Sequence, residues 1–279
     1  MSAPSRTPTA ELVSRRTRLV LVHGTRLSSS QWAPQLSRIT ARPELASWLD
    51  VVTPDLPGHG SRAEEPFTLE RAIAAIAAAV EAPGAADAVV LAGHSLGGYA
   101  ATAYAATYPR RLDGLVLIGA AAVPRGIGAA AYRGIAGLTG RLGPDRMTRI
   151  NDRVLGRLYP RELMEPVIAG GYYFTATAAA WREVMGRCGP GQLREVDCPV
   201  LMVGGAFDQL MVDARRYARM APQGEVHVVP RAGHFVGFDQ PDLVTGLLVD
   251  FSRRASQAAP RCGSETPSAY VADGTLSRS

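Results

Sequence analysis

The sequence predicts an α/β protein: a mostly parallel central sheet flanked by helices and interrupted by an inserted helical cap. Two observations carry this reading. Short apolar runs bounded by Gly and Pro alternate with segments of helical periodicity, which is the rhythm of βαβ units. Between Pro124 and Leu193 that rhythm stops, and the stretch is too long for a structureless loop in a compact domain. With 279 residues, 47% of them hydrophobic and 20% charged, the chain has enough material for one catalytic domain with an insertion.

Strands are expected at Leu19 to Val22, Leu49 to Thr53, Ala88 to Ala92, Gly114 to Ile118, Val200 to Val203 and Glu225 to Val229. Each is a short, mostly apolar run of strand length. Helices are expected at Leu69 to Glu81, at Leu96 to Tyr108 with Pro109 closing it, at Asp213 to Met220 and at Pro241 to Arg253. Within the insertion, helical patterns cover Ala129 to Gly137, Asp145 to Tyr159 and Thr177 to Gly186. The expected organisation is an N-terminal arm over 1–17, a core formed by 18–123 and 194–254, the cap over 124–193, and a small, polar tail over 255–279 that reads as disordered. Glu11-Leu12-Val13 is the one short strand candidate in the arm.

Composition removes several chemistries. All thirty basic residues are arginine, so a lysine Schiff base and a P-loop lysine are both absent. The Ala, Gly and Arg bias resembles that of a GC-rich bacterial genome. Cys188, Cys198 and Cys262 have neither an even count nor metal-ligand spacing, and they read as free thiols. No metal and no organic cofactor is implied: there is no His-x-x-x-His pair and no Gly-x-Gly-x-x-Gly loop after a strand. The net charge of +5 comes from scattered arginines, a weak reason to expect nucleic acid. No apolar run reaches membrane-spanning length and no secretory signal is evident, so a soluble cytoplasmic enzyme is expected.

The chemistry points to Ser95. Gly93-His94-Ser95-Leu96-Gly97 lies between an expected strand and an expected helix, where a sharp turn would expose the serine. Glycines two before and two after it let the backbone pack closely. On these residues the sequence resembles the α/β-hydrolase family, in its branch of small-molecule esterases, perhydrolase-like enzymes and carbon–carbon hydrolases, over roughly residues 18–254. Three further segments sit at matching strand ends: His23-Gly24-Thr25, Gly205-Ala206-Phe207-Asp208 and Gly233-His234-Phe235. The order Ser95, Asp208, His234 is the one this fold uses.

The resemblance implies Ser95 as nucleophile, His234 as base and Asp208 as its orienting acid, with the amides of Thr25 and Leu96 as oxyanion hole. Asp113 and Asp239 are the rival acids; the first precedes its strand and the second follows the histidine. Arg26 suits a substrate carboxylate or carbonyl, or equally a solvated loop. Tyr172, Tyr173 and Phe174 of the cap, with Phe235, are candidates for lining a substrate pocket, or for cap core. His23, His59 and His94 read as structural, and Trp32 as packing. Ten arginines against five acidic residues in the cap are explained first by solvated helix faces, and alternatively by an anionic substrate or a carrier-borne acyl group. Three functions stay open: hydrolysis of a small-molecule ester or thioester; the same triad used for carbon–carbon cleavage, acyl transfer, elimination or cyclisation; and a ligand-binding receptor. Serine at the nucleophile position argues against the branches that attack with a carboxylate.

Overall fold

A computed structural model describes residues 15–123 and 143–257. Its centre is a six-stranded, wholly parallel sheet in the order β2-β1-β3-β4-β5-β6. The strands are β1 (Thr17–Val22), β2 (Leu49–Val52), β3 (Ala88–His94), β4 (Gly114–Ile118), β5 (Val200–Gly205) and β6 (Gly224–Val229). All six fall where the sequence places them, with β3 and β5 running longer at their C-terminal ends.

Strand alternation explains the two-layered core. Val20, Val22, Leu91, Leu117 and Met202 join the cluster on one face, while Leu19, Leu21, Val90, Ala92, Val116 and Val203 join the cluster on the other. The first face is covered by α2 (Leu69–Val80), α3 (Leu96–Thr107) and, further on, α7 (Ala214–Met220). The second is covered by α1 (Ala33–Thr40) and α9 (Pro241–Gln257). Every residue of α3 is buried, and its many alanines and glycines let it lie close against β3 and β4.

Between β4 and β5 the described residues form α4 (Pro144–Leu158), α5 (Arg161–Ala169) and α6 (Thr177–Arg187). The first and last coincide with helical patterns in the sequence. Helix α5 carries Pro166 in its interior, which breaks the usual signal for a helix. Leu155, Met164 and Val167 of this region pack with Leu27 and Phe238 into a third apolar cluster. The short helix α8 (Val236–Asp239) precedes α9. Helix α9 continues through Ala255–Gln257, and Ala255 is buried in the core, so the ordered chain reaches past the expected start of the tail. The patterns at Glu11 to Val13 and Ala129 to Gly137, and the tail beyond Gln257, lie outside the described residues. Among the described residues no helix is long and apolar enough to cross a membrane.

Candidate active site

Ser95 sits between β3 and α3 with φ 52° and ψ −116°, a left-handed conformation that L-residues rarely adopt and that costs on the order of 1–3 kcal/mol. Crowding fixes the residues around it. A Cβ at Gly93 would lie 2.3 Å from the carbonyl oxygen of Gly97, and one at Gly97 would lie 2.4 Å from that of Val22. The turn is held by its own backbone. The Ser95 N–H donates to the Ile118 carbonyl at 2.8 Å, and the Ser95 carbonyl accepts from Gly98 and Tyr99 at 2.9 and 3.2 Å. Leu96 is the first residue of α3, so its N–H has no intrahelical acceptor.

Asp208 follows β5 and His234 follows β6, and the two side chains meet. His234 Nδ1 lies 3.1 Å from each carboxylate oxygen of Asp208. Asp208 Oδ1 also accepts the Leu210 N–H at 2.9 Å. The Asp208 side chain is fully buried and that of His234 is 19% exposed, so the pair has one side toward solvent. Burial pushes the Asp208 carboxyl up, but the hydrogen bond and charge of His234, together with the Leu210 amide, outweigh it and hold the group below the usual carboxylate range. Gly119 lies directly behind this pair: a Cβ there would be 2.9 Å from Asp208 Oδ2 and 3.0 Å from His234 Nδ1. Because Ser95 bonds to the preceding Ile118 carbonyl, the turn and the Asp208–His234 pair share one backbone support at the end of β4.

His94 is a second link. Its Nε2–H donates to the carbonyl of His234 at 2.9 Å, and the two imidazole centroids are 4.8 Å apart. Burial first, then the charge of His234, push its pKa down to about 3, so it is neutral. The opposite wall is the loop after β1. His23 donates from Nδ1 to the Gly24 carbonyl at 2.8 Å and accepts the Leu56 N–H at Nε2 at 3.0 Å; burial and the charge of His59 push it also to about 3. The Gly24 amide is taken by Gln31 Oε1 at 2.8 Å and the Arg26 amide by His59 Nε2 at 3.3 Å, with the amide of Thr25 between them.

Arg26 has φ 70°, its carbonyl accepts the Tyr173 N–H at 2.8 Å, and its guanidinium lies 5.9 Å from the centre of the Phe174 ring. Tyr172 stacks on Phe174 at 6.1 Å. Burial and then Asp152 push the Tyr172 phenol up. Phe235 packs against His94, His234 and Phe238. These four aromatics therefore group into two places: Tyr172, Tyr173 and Phe174 beside the β1 loop, and Phe235 beside the histidines. The rival acids are engaged elsewhere. Asp113 accepts the Val89 N–H at 2.9 Å at the far end of the sheet. Asp239 accepts the Gly233 N–H at 2.7 Å and the Tyr159 hydroxyl at 2.9 Å.

A model of the alpha/beta hydrolase family matches residues 19–247. The chain belongs to that family. Among curated relatives it is 29% identical over 263 residues to the pimeloyl-[acyl-carrier protein] methyl ester esterase of Aromatoleum aromaticum, covering 84% of this chain and 98% of that one. It is 26% identical to a 2-hydroxy-6-oxo-2,4-heptadienoate hydrolase of Pseudomonas putida, covering 84% and 88% of the two chains. It is 28% identical to the dihydrolipoyllysine-residue acetyltransferase component of a Pseudomonas putida acetoin cleaving system, of which it spans 64% while 85% of this chain is covered. Among solved structures, a thermophilic esterase from Thermogutta terrifontis superposes with a TM-score of 0.66 at 27% identity, over 88% of this chain and 92% of that one.

In this alpha/beta hydrolase several contributors carry no sequence signal. Gln31 and Asp55 are ordinary polar residues, and Asp239 signals only as a rival acid, until the fold turns them inward. Asp55 accepts the Ser29 and Ser61 amides at 2.7 and 2.8 Å and so ties the β1 loop to the turn after β2. Burial raises its carboxyl, yet these bonds hold it below the ordinary value.

Buried neutral histidines have a measurable consequence. His23, His59 and His94 all have folded pKa values depressed below the ordinary 6.5, chiefly by burial. Below pH 6.5 the unfolded chain binds protons that the folded chain does not, so their contribution is complete above 6.5 and is lost as pH falls toward the folded values. Asp55 and Asp208 are held below 3.8, and what they add is lost only at lower pH. Thermal unfolding is expected to be level above neutrality and to drop steadily from about pH 6.5 to 5; a flat Tm across that window would mean that these imidazoles are protonated in the fold.

Proposed function

We propose that this hydrolase cleaves carboxylic esters or thioesters of small molecules through an acyl-enzyme on Ser95. The observation that carries the reading is the buried Asp208 carboxylate bonded to His234 Nδ1, packed against the end of β4 to which the Ser95 turn is also bonded. An ionised carboxylate can only accept, so Nδ1 carries the proton and Nε2 keeps its lone pair. His234 Nε2 then takes the Ser95 proton as Oγ attacks the carbonyl carbon, and Asp208 stabilises the imidazolium. The amides of Thr25 and Leu96 receive the developing oxyanion, each worth about 3 kcal/mol of transition-state stabilisation. Collapse expels the alcohol or thiol with the proton from His234. Water, activated by the same imidazole, releases the acid. The helices α4, α5 and α6 between β4 and β5 act as the cap, with Tyr172, Tyr173, Phe174 and Phe235 lining the acyl side and Arg26 at its polar edge.

The esterase names among the relatives support the ester reading. The heptadienoate hydrolase favours a second one, since its named substrate contains no ester and only a carbon–carbon bond for water to cleave. A panel of p-nitrophenyl esters from acetyl to long acyl chains, run beside a fluorophosphonate probe with intact-mass readout, decides between them. Ester turnover with phosphonate on Ser95 supports ester hydrolysis, and the chain-length optimum sizes the pocket. Labelling without ester turnover moves the carbon–carbon reading ahead. Absence of labelling removes Ser95 as nucleophile.

A further inference from the structure

Arg146, Arg149, Arg153 and Arg157 are all exposed on α4. At 100° per residue their spacing places them within an arc of about 80°, over about 16 Å of helix. The acids of that helix, Asp145 and Asp152, fall outside this arc. Elsewhere arginines are commonly paired: Arg18 with Asp50, Arg38 with Asp242, Arg62 with Glu65, Arg187 with Glu70 and Glu183. Among the described residues no ion pair neutralises the α4 stripe. Four like charges repel one another on one helix face, and an acidic partner would relieve that repulsion. On the other side of the stripe stand Val154 and Leu158, 48% and 65% exposed, a small apolar margin of the kind that borders a protein contact.

The stripe has a defined position relative to the site. Tyr159, which follows α4, donates to Asp239, whose other oxygen takes the Gly233 N–H beside His234. The C-terminal end of α4 is therefore tied to the loop that carries His234, while Ser95 itself is only 2% exposed. Bulk cannot reach it. A slender acyl group on a flexible arm is the form of substrate that suits a serine so enclosed.

We propose that the α4 arginine stripe docks an acidic acyl carrier protein that delivers its thioester to Ser95. This rests on the ester or thioester reading above. Ser95 Oγ bonds to the acyl carbon, the carbon–sulfur bond breaks, and the thiol leaves on the carrier with the proton held by His234; water then frees the carboxylic acid. An anionic membrane fits less well, because the apolar residues of α4 other than Val154 and Leu158 face the protein and no aromatic belt accompanies the arginines.

The test compares butyryl-loaded bacterial acyl carrier protein with the butyryl thioester of N-acetylcysteamine, for the wild type and for R146Q/R149Q/R153Q/R157Q. At low salt, kcat/KM for the carrier substrate is expected to exceed that for the free thioester by about tenfold or more, an advantage that shrinks with added salt and is lost in the variant. Turnover of the free thioester is unchanged in the variant, which shows that it folds. In parallel, labelled carrier is titrated against Ser95→Ala with and without the four substitutions, and both proteins are sedimented with phosphatidylglycerol vesicles. Equal use of both thioesters, or carrier binding that ignores the substitutions, overturns the proposal; so does stripe-dependent binding to vesicles without binding to the carrier. If neither thioester is cleaved while carrier binding still depends on the stripe, the hydrolytic reading fails and the docking surface stands.

Discussion

Replacing His234 with alanine is expected to slow ester turnover on the order of 10⁶-fold, because nucleophile and base act as a unit and the loss of one leaves little for the other to do. The His234 side chain is partly exposed and its principal side-chain bond is to Asp208, so its removal leaves the fold standing. Asp208→Asn is expected to cost less, on the order of 10⁴-fold. An amide at that position offers Nδ1 a donor as readily as an acceptor, and the imidazole spends its time in the wrong tautomer. Steady-state hydrolysis of the best p-nitrophenyl ester, with Ser95→Ala and the Ser95→Ala/His234→Ala double variant alongside, gives the readout. The double variant should be no slower than either single one. If His234→Ala stays within about tenfold of the wild type, another group is the base and the whole assignment around β6 falls.

Gly97→Ala is expected to cost about 3 kcal/mol or more of stability. The added methyl would sit 2.4 Å from the Val22 carbonyl oxygen and 2.5 Å from that of His23. Neither can yield easily. Val22 is paired with Gly93 in the middle of the sheet, and His23 is buried and bonded to both Gly24 and Leu56. Helix α3 must therefore move off β1, which also separates the Leu96 amide from the Thr25 loop. For a domain of this size the expected fall in Tm is roughly 6–12 °C. Gly156→Ala supplies the contrast: nothing lies within 4 Å of its Cβ, it sits inside exposed α4, and alanine there should stabilise by about 0.5–1 kcal/mol. Thermal unfolding of the two variants side by side separates steric crowding from a general intolerance of substitution, and a Gly97→Ala protein as stable as the wild type would show that the close approach is relaxed in solution.

The strands and the turn at Ser95 were legible in the sequence because their causes are local. A buried parallel strand needs a run of apolar residues, and a serine forced to positive φ needs small neighbours. Helix α5 holds Pro166 in its interior, so it lacks a clean helical signal and forms through packing of Met164 and Val167 with Leu27 and Phe238; α1 is only eight residues long and is held by Ile39 in the second core cluster. The supporting polar residues were illegible for a different reason. His94 reads from the sequence only as structural, and nothing there says that it is the group that clasps the His234 carbonyl. Nothing in Gly-His-Ser-Leu-Gly says which way that imidazole turns; β6 decides it from more than a hundred residues away. Asp239 likewise looks like a spare acid until Gly233 and Tyr159 close on it from two directions.

The pairing of β4 with β5 joins Leu115 to Val200 directly, so the helices α4, α5 and α6 described between Ile118 and Val200 are carried as an excursion from the sheet. Doubling the length of such an excursion costs only about 0.6 kcal/mol in closure entropy. Ser95, Asp208 and His234 all reside outside it. In the proposed assignment the reacting groups and the α4 docking face can thus be inherited separately: a lineage is able to exchange its helical excursion, and with it part of its clientele, without renegotiating the groups proposed to break the bond.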